Sequence, residues 1–324
     1  MVRPGAQYSA SDPVLPLRRF SNTVIAGFSV LALLVVGGGV VAGIQVADSM
    51  KGVSSPLVSP SLRPKEAPAP LPAPRPTVTV TAKTVPDAER VKQNKLYRVG
   101  RLASAGCQEP AVKPTSKQAV LKYYQRMLPC LNKFWAPVVR KAGYPFRAPK
   151  LVVYDNGKPN SPCSGHADTA FYCGGNETIS MRWQDDVKSY KRDPLWARVD
   201  MMSTMAHEYG HHVQMLTNIL ISSTSREGWA KTKAAKLEEN RRMELQASCL
   251  GALFLGANKA SMELTGRKLA EWEYLAKHSG DEYNPKKVRD HGSKASHWYW
   301  ESGAFRTPDP AKCNTFTAPA KRVS

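Results

Sequence analysis

The segment His207-Glu208-Tyr209-Gly210-His211 constrains this chain more than any other feature, because its spacing has a chemical use on a helix. Residues four apart lie on one helix face, so the imidazoles of His207 and His211 can bind one metal ion. Glu208 then lies beside that ion, where a carboxylate can take a proton from an attacking water. The alternative is a solvated helix face that carries these residue types by coincidence. We predict a metal-dependent hydrolytic site on this helix.

Two imidazoles do not complete such a site, since catalytic zinc has three protein ligands and one open position for water. The next predicted helix offers Glu238, Glu239 and Glu244. Glu244 has the best setting, because small and apolar residues follow it and a buried carboxylate is costly unless it binds a cation. Its alternative place is the solvated edge of that face. Glu244 is therefore the best candidate for the third ligand of one zinc ion per chain.

The other histidines differ in what their positions allow. His212 points about 100° away from His211 on the same helix, so we interpret it as structural. His291 is the one downstream histidine that can reach the site and stabilise a tetrahedral oxyanion. The sequence positions of His166, His278 and His297 give no reason to place them at the metal site.

The N-terminal part reads as an anchor followed by a spacer. Residues 24–46 carry no charge over 23 positions, which is long enough to span a bilayer core of about 30 Å. A signal-peptide core is shorter, about 7–15 residues, and a buried core helix is the remaining alternative. Arg18 and Arg19 favour a cytoplasmic N-terminus, and the nine prolines in residues 52–86 are typical of an extended spacer. We predict a cytoplasmic segment 1–22, a single membrane anchor 23–47, an extracytoplasmic stalk 48–86 and a folded domain 87–324.

Charge and cysteine content indicate the environment in which the domain works. The formal net charge is +20, which suggests anionic surroundings such as lipid headgroups or cell-wall polymers. The basic residues are dispersed and form no nucleic-acid motif, so we expect a solvated basic surface and no nucleic-acid partner. The six cysteines form no C-x-x-C pair, which argues against a zinc ribbon or a thioredoxin-like site. They are compatible with three disulfides in an oxidising compartment, although six cysteines permit about fifteen connectivities.

The hydrophobic pattern after the stalk predicts one α+β domain, mainly helical, with a small sheet or hairpin before the zinc-binding helix. The predicted elements are a helix over 116–135 bent at Pro129, a strand over 150–154, a hairpin of 171–173 and 178–183 around 174–176, and helices over 194–216, 225–255 and 259–277. The helix over 194–216 carries the two motif histidines.

The motif and its surroundings resemble a known family, the neutral zinc metallopeptidases of bacteria, which are membrane-anchored zincins. The resemblance covers roughly residues 150–316. Six blocks match in the same order, at 150–154, 171–173, 206–214, 243–247, 291–292 and 309–316. The resemblance implies a zincin-like fold, His207 and His211 as zinc ligands, Glu208 as the catalytic residue and Glu244 as the third ligand.

The chain departs from the family at one position, since Ser248 replaces an aspartate of the family's Glu-Leu-Gln-Ala-Asp segment. In Glu-zincins such an aspartate accepts the second N–H of a ligand histidine. A serine hydroxyl can accept that bond without bringing a negative charge, so we expect weaker zinc retention. The resemblance also implies the disulfides Cys163–Cys173 and Cys249–Cys313, which leaves Cys107–Cys130 as the third pair.

Together these features predict a membrane-anchored, extracytoplasmic zinc endopeptidase in which Glu208 is the general base. Residues 178–183 are the expected edge strand along which an extended peptide substrate binds. Two alternatives remain. One is zinc hydrolysis of another amide, such as a wall peptide crosslink. The other is a zinc-stabilised wall- or protein-binding module with weak or lapsed catalysis, of which Ser248 would be the first sign.

Overall fold

The computed structural model describes residues 85–155, 161–163, 169–283 and 288–324. The predicted cytoplasmic segment, the anchor and all but the end of the stalk lie outside these residues, as does His166. Across the described ranges, no helix is long and apolar enough to cross a membrane.

The described residues form eight α-helices and one sheet of three strands. The helices are α1 Asp87–Lys92, α2 Lys117–Lys141, α3 Trp183–Arg192, α4 Pro194–Leu216, α5 Ile219–Trp229, α6 Lys233–Ala257, α7 Gly266–Lys277 and α8 Lys294–Arg306. The strands are β1 Lys150–Tyr154, β2 Phe171–Cys173 and β3 Thr178–Arg182. This arrangement confirms the predicted α+β class, mainly helical with a small sheet before the helix of the motif.

The sheet has the order β1-β3-β2, with β1 parallel and β2 antiparallel to β3. The β2–β3 hairpin around residues 174–176 is as predicted. The prediction that residues 178–183 form an edge strand is wrong, because β3 is hydrogen-bonded on both sides and ends at Arg182. The local pattern showed the hairpin but could not show that the distant segment β1 pairs with the other side of β3.

The helix α4 starts where the sequence predicts. Asp193 caps it by accepting hydrogen bonds from the backbone N–H groups of Leu195 and Trp196, both at 3.1 Å. Pro194 occupies the first turn, where a missing N–H costs nothing. The helix is buried without interruption from Met205 to Gln214, so it lies inside the domain with protein on every side.

Three predicted helices have different bounds in the structure. The helix predicted over 116–135 continues to Lys141 as α2. The helix predicted over 225–255 is divided into α5 and α6, because Thr232 caps a new start by accepting a hydrogen bond from Ala235 N at 3.1 Å. The helix predicted over 259–277 begins only at Gly266. Glu263 before the helix and Gly266 at its first position adopt positive φ angles of 54° and 52°, which a right-handed helix continuing from residue 259 does not permit. The helices α1, α3 and α8 were not predicted.

The helices α4 and α6 pack against each other at the centre of the domain, and α6 also packs against α5 and α8. Every residue of α6 from Arg242 to Gly256 is buried. A methyl group on Gly210 would lie 2.6 Å from the Ala247 carbonyl oxygen, and one on Gly251 would lie 2.9 Å from His207 N. Only glycine permits these approaches. The two glycines therefore bring the backbones of α4 and α6 together beside the motif histidines.

Candidate metal centre

His207 and His211 lie one turn apart on the buried face of α4 that contacts α6. Their Nε2 atoms are 3.1 Å apart, and both side chains are almost fully excluded from solvent. Burial lowers the pKa of His207 to about 3, although Glu244 opposes this shift. A neutral imidazole offers the lone pair that a metal requires.

Glu244 approaches the two imidazoles from α6. Its Oε2 atom lies 3.4 Å from His207 Nε2 and 3.3 Å from His211 Nε2. Burial favours protonation of this carboxyl, but His211 and His291 outweigh that effect and hold its pKa well below the usual value. Glu238 and Glu239, the alternatives left open by the sequence, instead form ion pairs with Arg242 and Arg226.

The separations of these three donor atoms fit one zinc ion. Tetrahedral ligands with zinc–nitrogen and zinc–oxygen bonds of about 2.0–2.1 Å lie about 3.3 Å from one another, and the observed separations are 3.1, 3.3 and 3.4 Å. Both Glu244 oxygens are buried and make no hydrogen bond to any described group. A buried carboxylate in this condition is costly unless a cation binds it. Two nitrogens and one oxygen are also a usual donor set for catalytic zinc.

Glu208 lies beside this cluster, with a carboxylate oxygen within 4.8 Å of ligand atoms of His207 and His211. The side chain is fully buried, and within the described part of the chain no side chain donates a hydrogen bond to either oxygen. Burial raises the pKa of Glu208 to about 8. A bound cation would lower this pKa, so a charged base beside the metal is consistent with the site.

The second ring nitrogen of each motif histidine has a neutral partner. His207 Nδ1 lies 3.0 Å from Ser248 Oγ, and His211 Nδ1 lies 2.9 Å from Gln214 Oε1. The sequence pointed to Ser248 through the departure from the family pattern. Gln214 received no role from the sequence, because a glutamine near a metal motif has no distinguishing signal.

His291 reaches the same cluster from the segment before α8. Its Nε2 atom lies 3.9 Å from Glu244 Oε2, and its Nδ1 atom is 2.7 Å from Asp290 Oδ1. Burial alone would lower its pKa, but Glu244 and Asp290 outweigh that effect and raise it to about 9. His291 is therefore a charged hydrogen-bond donor next to the ligands, and Asp290 is a partner that the sequence did not reveal.

Asp281, Asp290 and His291 form a second group of potential ligand atoms within 4.8 Å of one another. The Asp281 carboxylate, however, accepts backbone hydrogen bonds from His291 at 3.1 Å and from Gly292 at 2.7 Å. Asp290 is occupied by His291 Nδ1. These contacts position His291 and do not require an ion.

His212 and His297 lie elsewhere and have local partners. His212 Nδ1 is 3.0 Å from the Tyr172 hydroxyl and its Nε2 is 2.8 Å from the Arg147 carbonyl oxygen. Burial lowers the pKa of His212 to about 4, so it is a neutral link between α4 and the sheet. His297 Nδ1 pairs with Glu301 at 2.9 Å inside α8.

Comparisons with known proteins agree with this geometry. A sequence model for the family described as "Putative neutral zinc metallopeptidase" matches residues 90–316. The chain belongs to this neutral zinc metallopeptidase family. "Uncharacterized protein YpfJ" of Escherichia coli K12 is 29% identical over 223 residues, which cover 64% of this chain and 74% of that protein. The same values hold for "Uncharacterized protein YpfJ" of Escherichia coli O6:H1. No solved structure matches the chain.

Membership of this metallopeptidase family agrees with the donor set formed by α4 and α6 and implies zinc as the metal. The structure also contains three disulfides, at Cys107–Cys130, Cys163–Cys173 and Cys249–Cys313. These are the pairs named from the resemblance. The third disulfide ties α6, one residue after Ser248, to the C-terminal segment.

Proposed function

We propose that this protein is a membrane-anchored, extracytoplasmic zinc endopeptidase with one zinc ion per chain. The observation that carries the proposal is the set of three buried donor atoms, two from α4 and one from α6, with separations of 3.1 to 3.4 Å. Family membership supports a peptide or protein as the substrate.

In this proposal His207, His211 and Glu244 hold the ion. When bound there, zinc would supply Lewis acidity to polarise the scissile carbonyl and would bring the pKa of a water molecule toward about 7. Glu208, buried beside the ligands, accepts the proton of the attacking water and passes it to the leaving amine. His291 donates a hydrogen bond to the oxyanion that develops on the substrate, and Asp290 fixes the orientation of its ring.

The strand β2 replaces β3 as the proposed binding edge for an extended peptide. Within the described residues β2 pairs only with β3, and it packs against α4. The Tyr172 backbone in β2 lies close enough to the Glu208 carboxylate to lower its pKa. A peptide that adds to β2 through main-chain hydrogen bonds would therefore pass Glu208 and the ligands.

The location outside the cytoplasm is also a proposal. It is supported by the uncharged residues 24–46, the preceding Arg18 and Arg19, and the proline-rich residues 52–86. Three disulfides in the domain are consistent with an oxidising compartment. Contact of the basic domain with anionic wall polymers is part of the same proposal and rests on charge alone.

The test uses the full chain, purified in a mild detergent, with an unfolded protein as substrate. Zinc-dependent cleavage should stop on chelation and return when zinc is added. Glu208→Gln should retain zinc and reduce turnover by about 10²-fold or more. The matched control is Glu273→Gln, which removes a carboxylate that is 42% exposed on α7 and should leave cleavage unchanged.

Two outcomes would contradict the proposal. Retained cleavage in Glu208→Gln would rule out Glu208 as the base. Zinc binding without cleavage of any unfolded protein or wall peptide would favour the alternative, a zinc-stabilised binding module. That alternative has one observation in its favour, since the partner of His207 Nδ1 is the neutral Ser248 rather than a carboxylate.

A further inference from the structure

A series of hydrogen-bonded, buried amide groups extends from His211 through the interior of the domain. His211 Nδ1 lies 2.9 Å from Gln214 Oε1, and Gln214 Nε2 lies 3.0 Å from Gln246 Oε1. Gln246 Nε2 in turn lies 2.9 Å from the Cys313 carbonyl oxygen and 2.7 Å from the Tyr97 hydroxyl. Gln214 and Gln246 are both fully buried. This series of amides thus connects α4, α6 and the C-terminal segment.

Backbone carbonyl groups fix the orientation of both amides. Gln214 Nε2 lies 2.8 Å from the Met243 carbonyl oxygen, and a carbonyl can only accept a hydrogen bond. The amide nitrogen must therefore face Met243, which turns Oε1 toward His211. In the same way, the Cys313 carbonyl holds the nitrogen of Gln246 and turns its Oε1 toward Gln214. Neither amide can be reversed without two carbonyl oxygens meeting.

This orientation of the Gln214 amide determines which ring nitrogen of His211 carries hydrogen. Gln214 Oε1 is an acceptor, so the Nδ1 atom of His211 must carry hydrogen. In the neutral ring the lone pair is then on Nε2, which faces Glu244 and His207. Ser248 is different, because a hydroxyl can donate or accept and does not impose either tautomer on His207.

We infer that Gln214 and Gln246 are positioning residues that fix His211 with hydrogen on Nδ1 and its Nε2 directed at the metal. The inference rests on the proposed zinc site and adds the residues that prepare it. The Cys249–Cys313 disulfide stabilises the contact between Gln246 and the Cys313 carbonyl, because it links Cys313 to α6 three residues after Gln246. A partner that fixes the second N–H of a ligand typically contributes about 10- to 100-fold to metal affinity.

The test compares Gln214→Met and Gln246→Met in the full chain with Gln184→Met, a glutamine on α3 that has no part in this series of amides. Methionine has a similar volume but neither the acceptor nor the donor. We expect zinc affinity, measured by competition with a chelating dye, to fall about 10-fold or more in Gln214→Met. Gln246→Met should lose less zinc affinity, because the Met243 carbonyl still orients the Gln214 amide. Gln184→Met should bind zinc as tightly as the wild-type protein.

A second measurement reports the hydrogen on Nδ1 directly. With cobalt(II) in place of zinc, the ring N–H protons of ligand histidines give strongly shifted NMR signals that exchange with water. The His211 signal should exchange slowly in the wild-type protein and rapidly, or not be visible, in Gln214→Met. Ser248→Ala should alter the other histidine signal only. A loss of general packing would not select one of the two signals.

The outcomes separate this inference from the proposed function. Wild-type zinc affinity and slow His211 exchange in Gln214→Met would overturn the inference even if the protein cleaves peptides. Altered affinity and exchange in a protein that cleaves nothing would support the inference and count against the peptidase. If Gln214→Met does not fold, the same two readouts in Gln246→Met decide, and unchanged values there would overturn it. Absence of zinc binding in the wild-type protein would overturn both.

Discussion

Ser248 Oγ lies 3.0 Å from His207 Nδ1, and Ser248 is one helical turn after Glu244 on α6. In the proposed site, one helix therefore supplies both a metal ligand and the partner of another ligand. A hydroxyl in this place can accept the second N–H of His207, but it brings no negative charge to the ligand.

Ser248→Asp should bind zinc about 10-fold more tightly, because a carboxylate makes the ligand imidazole a better donor. Ser248→Ala should bind zinc more weakly, because His207 Nδ1 then loses its partner. Isothermal titration of the metal-free proteins with zinc gives the three affinities. Equal affinities would show that the contact with Ser248 does not influence the metal.

Gly251→Ala should disrupt the contact between α4 and α6. The new methyl group would lie 2.9 Å from His207 N, and overpacking of this kind costs about 1–3 kcal/mol. Zinc affinity should also fall, because Glu244 would move away from the imidazoles. Urea unfolding and zinc titration measure the two effects.

The control for this prediction is Gly303→Ala in α8, where an added methyl group meets nothing within 4 Å. Alanine is favoured over glycine inside a helix by about 0.5–1 kcal/mol, so this variant should be slightly more stable than the wild-type protein. A Gly251→Ala protein as stable as Gly303→Ala would contradict the close approach of the two helices.

His291→Asn should lower turnover by about 10²-fold, because the oxyanion loses its charged donor. Zinc affinity should change little, since His291 Nε2 lies 3.9 Å from Glu244 Oε2 and is not one of the three convergent atoms. His278→Asn, at the end of α7, is the control. A large loss of zinc in His291→Asn would instead indicate that this histidine is a ligand.

Asp200→Asn should stabilise the protein at neutral pH. Burial and the nearby Asp185 raise the pKa of Asp200 from 3.8 to about 7. Below about pH 3, which is well under the ordinary value of 3.8, the carboxyl is protonated in both states, so the substitution should have little effect there. As the pH rises toward 7 the unfolded chain ionises first, which favours unfolding of the wild-type protein. The expected gain above pH 7 is about 1–3 kcal/mol.

Urea unfolding at about pH 3 and about pH 8 measures this difference. Comparison of the two proteins at each pH removes effects that they share, such as loss of zinc in acid. An equal gain at both pH values would show that packing, rather than the charge of Asp200, is responsible.

The three proposed ligands show how much of the site the sequence could predict. His207 and His211 are related by helical periodicity, so their spacing alone placed them on one face. Glu244 lies on a different helix, and local pattern could not separate it from Glu238 and Glu239. The helix crossing at Gly210 and Gly251 decides between them, because it brings only that turn of α6 to the imidazoles.

The sheet shows the same division. The hairpin of β2 and β3 is local, and turn residues between two apolar runs were enough to predict it. The pairing of β1 with β3 joins segments separated by a long stretch of chain, and no local signal specifies it. For this reason the sequence predicted an edge strand at residues that form the middle strand of the sheet.

By itself, the sequence determined the zinc motif, its helix, the fold class and the candidates for the third ligand, because these follow from local periodicity and residue chemistry. Only the tertiary structure decided which groups surround the ligands. Gln214, Gln246 and Asp290 acquire their roles through contacts between segments distant in the chain. Such contacts depend on how whole helices pack against one another, and the spacing of residues within one segment does not predict that packing.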